Sequence, residues 1–334
     1  MRRTPVAVAL LVAATLALAS CGSSDRLDPD PDDAPPPSSA GGAAGEPGGS
    51  GDPGTGGGPT SVPVLPDDLE DAAALADLAA LAEQEAGRAP RALDGPIVGG
   101  DISWPQCPRG MGIPERRTLG LPMPLPTARF VVMGLTNGPA FFPNPCLAEQ
   151  VAWVRERGLL AGAYAVASYP DERTLAAYAD EGPFDGGEEH DELRNVGYQQ
   201  ALFNITEMRR AGLPAPMVWV DVEPVRDWEW SADLEANAAV VEGLQRAYLD
   251  QGYEIGIYST PSLWAAAVGD LALGVPEWRA AGPTSRAEAL ERCGADWVVQ
   301  GGPAAMGQWV QGGRDLNVTC PGAEAEVLGW FHPF

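Results

Sequence analysis

The chain has 334 residues and a formal net charge of −25, and all 21 of its cationic residues are arginines. The absence of lysine excludes Schiff-base chemistry and a phosphate-binding P-loop, and having only His190 and His332 excludes a histidine-rich metal site. A chain this acidic lacks the cationic surface that displaces counterions from nucleic acid, so no nucleic-acid partner is expected and carboxylates are left to carry the chemistry.

At the N-terminus, Arg2 and Arg3 precede an apolar run from Val6 to Leu18 that ends in Leu18-Ala19-Ser20-Cys21-Gly22. A charged start, a short apolar stretch and small residues at the cleavage point make a secretory signal over residues 1–21. The run is too short to span a bilayer, which takes about 20 apolar residues. Leu-Ala-Ser-Cys resembles a bacterial lipobox, in which the cysteine is lipidated and becomes the first mature residue. The expectation is therefore an extracytoplasmic lipoprotein, held to the outer face of the cytoplasmic membrane by a lipid on Cys21 and by nothing else. Residues 22–95 are rich in Gly, Pro, Asp and Ala, including Pro35-Pro36-Pro37 and Gly56-Gly57-Gly58. Such a segment cannot bury enough apolar surface to offset chain ordering, and it reads as a disordered tether. Within it, the Ala- and Leu-rich stretch 67–87 predicts a helix with acids in its first turn.

From residue 96 to 334, apolar runs alternate with helical patterns. Strands are predicted at Ile97–Ile102, Phe130–Leu135, Leu160–Ala167, Met217–Val222, Glu254–Tyr258, Trp278–Ala281, Trp297–Gln300, and Gly307–Val310 or Leu316–Val318. Helices are predicted at Pro145–Arg157, Gly197–Ala211, Ala232–Gln251 and Ser285–Arg292. Continuous apolar strands separated by helices imply a parallel sheet covered on its outside. About eight strands in roughly 250 residues fit a TIM-type α/β barrel, and no GxGxxG follows a strand to suggest a dinucleotide fold.

In such barrels the active site lies at the carboxyl ends of the strands. Acids occur there: Asp101 in Gly-Gly-Asp-Ile-Ser-Trp, Asp221 and Glu223 closing Met217–Glu223, and Asp315 in Arg-Asp-Leu-Asn near the last strand. At i and i+2 on a strand, Asp221 and Glu223 point to one face, their Cα atoms about 6.6 Å apart at roughly 3.3 Å per residue. A desolvated pair is reasonable if one member is kept protonated, as in a glycosidic acid and its partner.

These segments resemble glycoside hydrolase family 25, the lysozyme-like N-acetylmuramidases, and are similar to an actinobacterial branch of extracytoplasmic proteins with that domain. The resemblance is carried by Gly99-Gly100-Asp101-Ile102-Ser103, Phe130–Gly138, Gly162-Ala163-Tyr164, Trp219–Glu223, Gly256–Thr260, Gln308-Trp309 and Asp315-Leu316-Asn317, in the family's order. It implies that Glu223 is the general acid and that Asp221 supports the acetamido group or the oxocarbenium-like charge. Asp101 and Asp315 would complete an acidic floor, and the substrate's N-acetyl group would assist. The chain departs from the family's pattern at Trp104-Pro105-Gln106-Cys107, at Gln308-Trp309 and in the acidic stretch Asp171–Glu192.

Cys107, Cys146, Cys293 and Cys320 remain once Cys21 is set aside, and disulfides persist in an exported domain. Of the three possible pairings, Cys107–Cys146 and Cys293–Cys320 are expected, since each joins loops that neighbour one another in sequence. No Cys-x-x-Cys spacing points to a metal, and no metal or cofactor is expected. Sugar rings stack on exposed aromatics, and Trp104, Trp228, Trp230, Tyr258, Trp264 and Trp309 lie at or beyond strand ends. With Tyr164 and Gln308 from the matched motifs, the substrate-binding candidates are Trp104, Tyr164, Tyr258, Trp264, Gln308 and Trp309. The functional expectation is hydrolysis of the peptidoglycan glycan, of the N-acetylmuramidase type, by carboxylate acid catalysis; hydrolysis of another envelope glycan uses the same residues. The alternative is a weak or inactive barrel that binds envelope glycan or organises envelope proteins.

Overall fold

The computed structural model of the chain describes residues 95–334 except 139, 226 and 227. The signal segment, Cys21, the tether through residue 94 and its predicted helix at 67–87 lie outside the described residues.

The apolar runs close into a ring of eight strands: β1 (Val98–Ile102), β2 (Phe130–Gly134), β3 (Leu160–Val166), β4 (Met217–Asp221), β5 (Glu254–Ser259), β6 (Glu277–Pro283), β7 (Ala304–Gln311) and β8 (Arg314–Thr319). They pair in the order β2-β1-β8-β7-β6-β5-β4-β3, and β3 returns to β2 to complete the barrel. A two-residue strand, β9 (His332–Pro333), pairs with the start of β3 at Leu160 and Ala161. Strands β1 to β7 are parallel, but β8 is antiparallel to both of its neighbours. This corrects the wholly parallel sheet expected from the sequence. Gly312 and Gly313, at φ 62° and 70°, form the link between Gln311 and Arg314, and a two-residue turn can only reverse the chain. Because β8 is reversed, it starts where the parallel strands end, and Asp315 lies opposite Asp101.

One predicted strand is absent. Trp297–Gln300 is not a strand: Ala295–Trp297 forms a 3₁₀ turn. The N–H groups of Val299, Gln300 and Gly302 then donate to the Glu277 carboxylate at 2.9, 2.8 and 2.9 Å. Backbone donors held by a side chain are not available to a neighbouring strand. Glu277 is also paired with Arg279 at 2.7 Å, so this buried acid is structural.

Among the described residues, seven α-helices follow in chain order: α1 (Leu147–Glu156), α2 (Glu172–Tyr178), α3 (Asp191–Ala211), α4 (Leu234–Asp250), α5 (Pro261–Val268), α6 (Arg286–Glu291) and α7 (Val327–Trp330). Several start on side-chain caps: Asp171, Asp233, Thr260 and Ser285 each accept from backbone N–H groups in the first turn. No described helix is long and apolar enough to cross a membrane.

Alternation along the strands sorts side chains to two faces. Val131, Met133, Ala161, Ala163, Val218, Val220, Ile255 and Ile257 join the layer shared with the helices. Phe130, Val132, Met217, Trp219 and Trp278 fill the interior, where Trp330 and Phe331 join them from the end at which β3 begins. The ring of Phe331 lies 4.8 Å from that of Phe130. Gly256 leaves room for this filling, since a Cβ there would lie 2.3 Å from the Trp219 ring. The closed lower end leaves the opposite end, with its acids, as the open one. Cys107 is bonded to Cys146, tying the turn after β1 to the start of α1, and Cys293 is bonded to Cys320, tying the segment after α6 to the end of β8. These are the pairings expected from the sequence.

Candidate active site

The barrel brings the four predicted acids to one end. Asp101 lies on β1 directly across the antiparallel rung from Asp315 on β8. Asp221 is the last residue of β4, and Glu223 follows two residues later. Extended pairing continues past the strand end: Val222 N–H donates to the Tyr258 carbonyl at 3.0 Å, and Ser259 Oγ donates to the Val222 carbonyl at 2.6 Å. Asp221 and Glu223 therefore keep the same-face relationship predicted from their spacing. Trp230 Nε1 donates to the backbone carbonyl of Glu223 at 3.1 Å, holding the loop that carries the acid.

Burial sets the protonation of all four. It is the main reason the Asp101 carboxyl is pushed up to about 8, and the charge of Asp315 adds to it. Asp221 is held well above the usual carboxylate range by burial, then by Glu223 and Asp101. Its Oδ1 is buried with no hydrogen-bond partner among the described residues. Glu223, half-buried, is pushed up to about 7 by burial and by Asp315, against the opposing pull of the Arg116 guanidinium. Asp315 is raised by burial. The arrangement can therefore hold a proton at Glu223 near neutral pH while keeping negative charge close by.

Below the acids runs a hydrogen-bonded chain that the sequence reading missed in part. Tyr258 donates its hydroxyl to Gln308 Oε1 at 2.7 Å, and Gln308 Nε2 donates to Asp101 Oδ1 at 3.0 Å. From the other side Trp278 Nε1 donates to Asn317 Oδ1 at 2.7 Å, and Asn317 Nδ2 donates to the same Asp101 Oδ1 at 2.7 Å. Asn317 was not among the candidates, although its i+2 spacing from Asp315 puts it on the same face. Tyr258 and Gln308, predicted to bind substrate, are linked by these bonds to Asp101.

The other aromatic candidates divide. Tyr164 faces the interior against Gly134, where a Cβ would lie 2.8 Å from its ring, and lies edge-on to Trp278 at 6.0 Å. Trp104 is half-buried in the 3₁₀ turn that leaves β1. Two predictions are overturned. Trp264 is buried at 2% exposure on α5, in the layer between helices and strands, with Nε1 donating to the Leu271 carbonyl at 2.9 Å. Trp309 is buried on the outer face with Ala289, Leu316 and Val318. Gln308 and Trp309 are consecutive on a strand and face opposite ways, so only one of them can point into the barrel. Trp228 lies near the mouth, with the Arg116 guanidinium 5.1 Å above its ring and Phe142 edge-on at 6.4 Å. Among the described residues, no group of His, Cys, Asp or Glu is arranged to hold a metal ion.

No protein-family model matches the chain. One curated protein, counting factor 45-1 of Dictyostelium discoideum, is 35% identical over 77 residues, which is 23% of this chain and 25% of that protein. Among solved structures, a muramidase from Acremonium alcalophilum is similar at 17% identity and a TM-score of 0.45, covering 70% of this chain and 98% of that one. A family GH25 lysozyme from Aspergillus fumigatus is similar at 14% identity and a TM-score of 0.44, covering 70% and 99%. The modular autolysin LytC of Streptococcus pneumoniae, solved with a synthetic peptidoglycan ligand, is similar at 12% identity and a TM-score of 0.39, covering 67% of this chain but 46% of that one. The chain thus spans about a quarter of the curated relative and under half of the autolysin. These are likenesses of fold, and the barrel described above is similar to the barrels of family GH25 lysozymes and muramidases.

Proposed function

We propose that the chain is an exported glycoside hydrolase that cuts the glycan of peptidoglycan as an N-acetylmuramidase, tethered to the membrane by a lipid on Cys21. The observation that carries this reading is Glu223: a half-buried acid pushed up to about 7, two residues beyond Asp221 and above a floor of Asp101 and Asp315. An acid with that midpoint is both protonated often enough and acidic enough to protonate a leaving group near neutral pH. Glu223 gives its proton to the bridging oxygen as the bond from that oxygen to C1 breaks, and the bonding electron pair leaves with the oxygen. C1 takes on oxocarbenium-like charge, which the charge left on the acidic floor stabilises. The motif resemblance implies that Asp221, whose Oδ1 has no hydrogen-bond partner among the described residues, supports the sugar's acetamido group. The motif resemblance implies that this N-acetyl group assists at C1. Water then adds to C1, and its proton restores Glu223, so one water is consumed per bond cut.

The choice of peptidoglycan rests on the motif resemblance together with the signal and lipobox, which would keep the barrel within reach of the wall. The test is to incubate the full chain with purified peptidoglycan and analyse the released fragments by mass spectrometry. New reducing muramic-acid ends are expected. Reducing N-acetylglucosamine ends would assign the cut to the other bond. No fragments together with measurable glycan binding would replace the hydrolase by the binding module.

A further inference from the structure

Asp101 is the acid whose surroundings are most completely built. It is 8% exposed, and its Oδ1 accepts two side-chain amides, from Gln308 and Asn317. An amide can turn either end toward a neighbour, but an indole N–H can only donate. The Trp278 bond therefore fixes Asn317 with its oxygen outward and its NH₂ toward Asp101. Gln308 has the same orientation when Tyr258 donates to it. The reversed orientation would put an oxygen against Asp101 and would itself require a proton there. With Oδ1 doubly occupied, any proton on Asp101 belongs on Oδ2. Across the rung, directly opposed residues have Cβ atoms about 4.5–5.5 Å apart on one face, so the carboxyls of Asp101 and Asp315 are neighbours. Two carboxyls so close in a buried site do not both ionise.

We infer that Asp101 and Asp315 share one proton, held on Asp101 Oδ2, so that Asp101 is a neutral hydrogen-bond donor and Asp315 carries the charge, with Trp278, Asn317, Gln308 and Tyr258 as positioning residues. Exposure orders the pair: Asp101 is buried, whereas Asp315 is half-buried and better hydrated as an anion. The titratable groups that face the pair are Asp221 and Glu223 from the β4 end, Tyr164 from β3 and Tyr258 from β5. Arg116 bears on Glu223, and no cation is ion-paired to Asp101 among the described residues. The consequence reaches the proposed general acid, because the Asp315 charge is what adds to burial in raising Glu223. A proton on Asp101 thus keeps in place the charge that keeps the proton on Glu223. That consequence rests on the hydrolase reading, whereas the proton assignment does not.

The measurement is carbon-13 NMR of the full chain with labelled aspartate carboxyls, titrated without substrate, with the Asp101 signal assigned by its loss in Asp101→Asn. The expected midpoint for Asp101 is near pH 8. Asp315→Asn should lower that midpoint by at least about one pH unit, because a neighbouring like charge is removed. Asn317→Leu should raise it, because a donor to the charged form is lost. Gln308→Leu gives the same reading should the Asn317 variant not fold. An Asp101 signal that titrates in the ordinary carboxylate range, or that does not move in Asp315→Asn, overturns the inference even if the protein hydrolyses glycan. Hydrolysis that fails while these titrations hold counts against the function alone.

Discussion

Asp101 titrates from an ordinary value of 3.8 to about 8 in the barrel, and Glu223 from 4.5 to about 7. The folded state therefore holds both protons more tightly than the unfolded chain does across those intervals. Their contribution to stability is fully present below about pH 4 and is lost as pH rises through 8. Asp171, held low by the Thr174 hydroxyl and then its backbone N–H, and Asp191, held low by the Glu188 backbone N–H and by Arg194, work in the opposite sense at the acid end. The expected outcome is a thermal midpoint that falls between pH 5 and pH 8. Asp101→Asn should flatten that fall and raise the midpoint at pH 8, since a neutral amide replaces an acid that ionises only at the expense of its burial. Calorimetry across that range checks it, and an unchanged pH dependence in the variant would contradict the assignment. A gain in stability from removing a site acid is the usual mark of a group kept for function.

Elements decide which aromatic side chains serve the site. Trp309→Ala should destabilise the fold by about 3–5 kcal/mol, the range for a buried aromatic, and leave glycan affinity unchanged. Trp104→Ala should do the reverse, weakening substrate binding with little loss of stability. Calorimetry paired with glycan binding separates the two outcomes, and weakened binding in a folded Trp309 variant would return that residue to the cleft. Strand register is also where legibility ended. The Asp221-x-Glu223 spacing and the alternation around it carried the carboxyl pair directly from sequence to site, because period-two geometry needs no partner strand. The reversal of β8 depended on reading Gly312-Gly313 as a hairpin turn, when the same glycines also suit a longer loop. The apolar run at Trp297–Gln300 has strand composition, yet its N–H groups are claimed by Glu277 from a distant part of the chain. That long-range bond leaves no local trace. Trp264 and Trp309 were misplaced because aromatic content at a strand end does not say which face the ring takes. Asn317 was readable in principle from its spacing to Asp315, but only once β8 was known to line the acidic end.

At the scale of the whole molecule, residues 99–334 carry 31 acidic residues against 16 arginines, so the barrel would be repelled by anionic wall polymers if it were free to diffuse. A lipid on Cys21 would offset that by holding the domain near the membrane on a long Gly- and Pro-rich tether. Cys21→Ser is expected to shift the protein from the membrane fraction to the medium and to abolish a diacylglyceryl mass at that residue. A soluble protein that begins at another residue in the unaltered chain would count against the anchor. The two disulfides tie the barrel's connections at Cys107–Cys146 and Cys293–Cys320, which suits a domain working outside the reducing cytoplasm. The proposed reading is of an enzyme confined to the wall above its own membrane, and its catalytic part turns on whether Glu223 delivers a proton. The direct measurement is the rate of peptidoglycan cleavage by the full chain and by Glu223→Gln, with glycan binding followed in both. The account predicts a rate lower by about 10²–10⁴ in the variant with binding retained. An unchanged rate in the variant would contradict it.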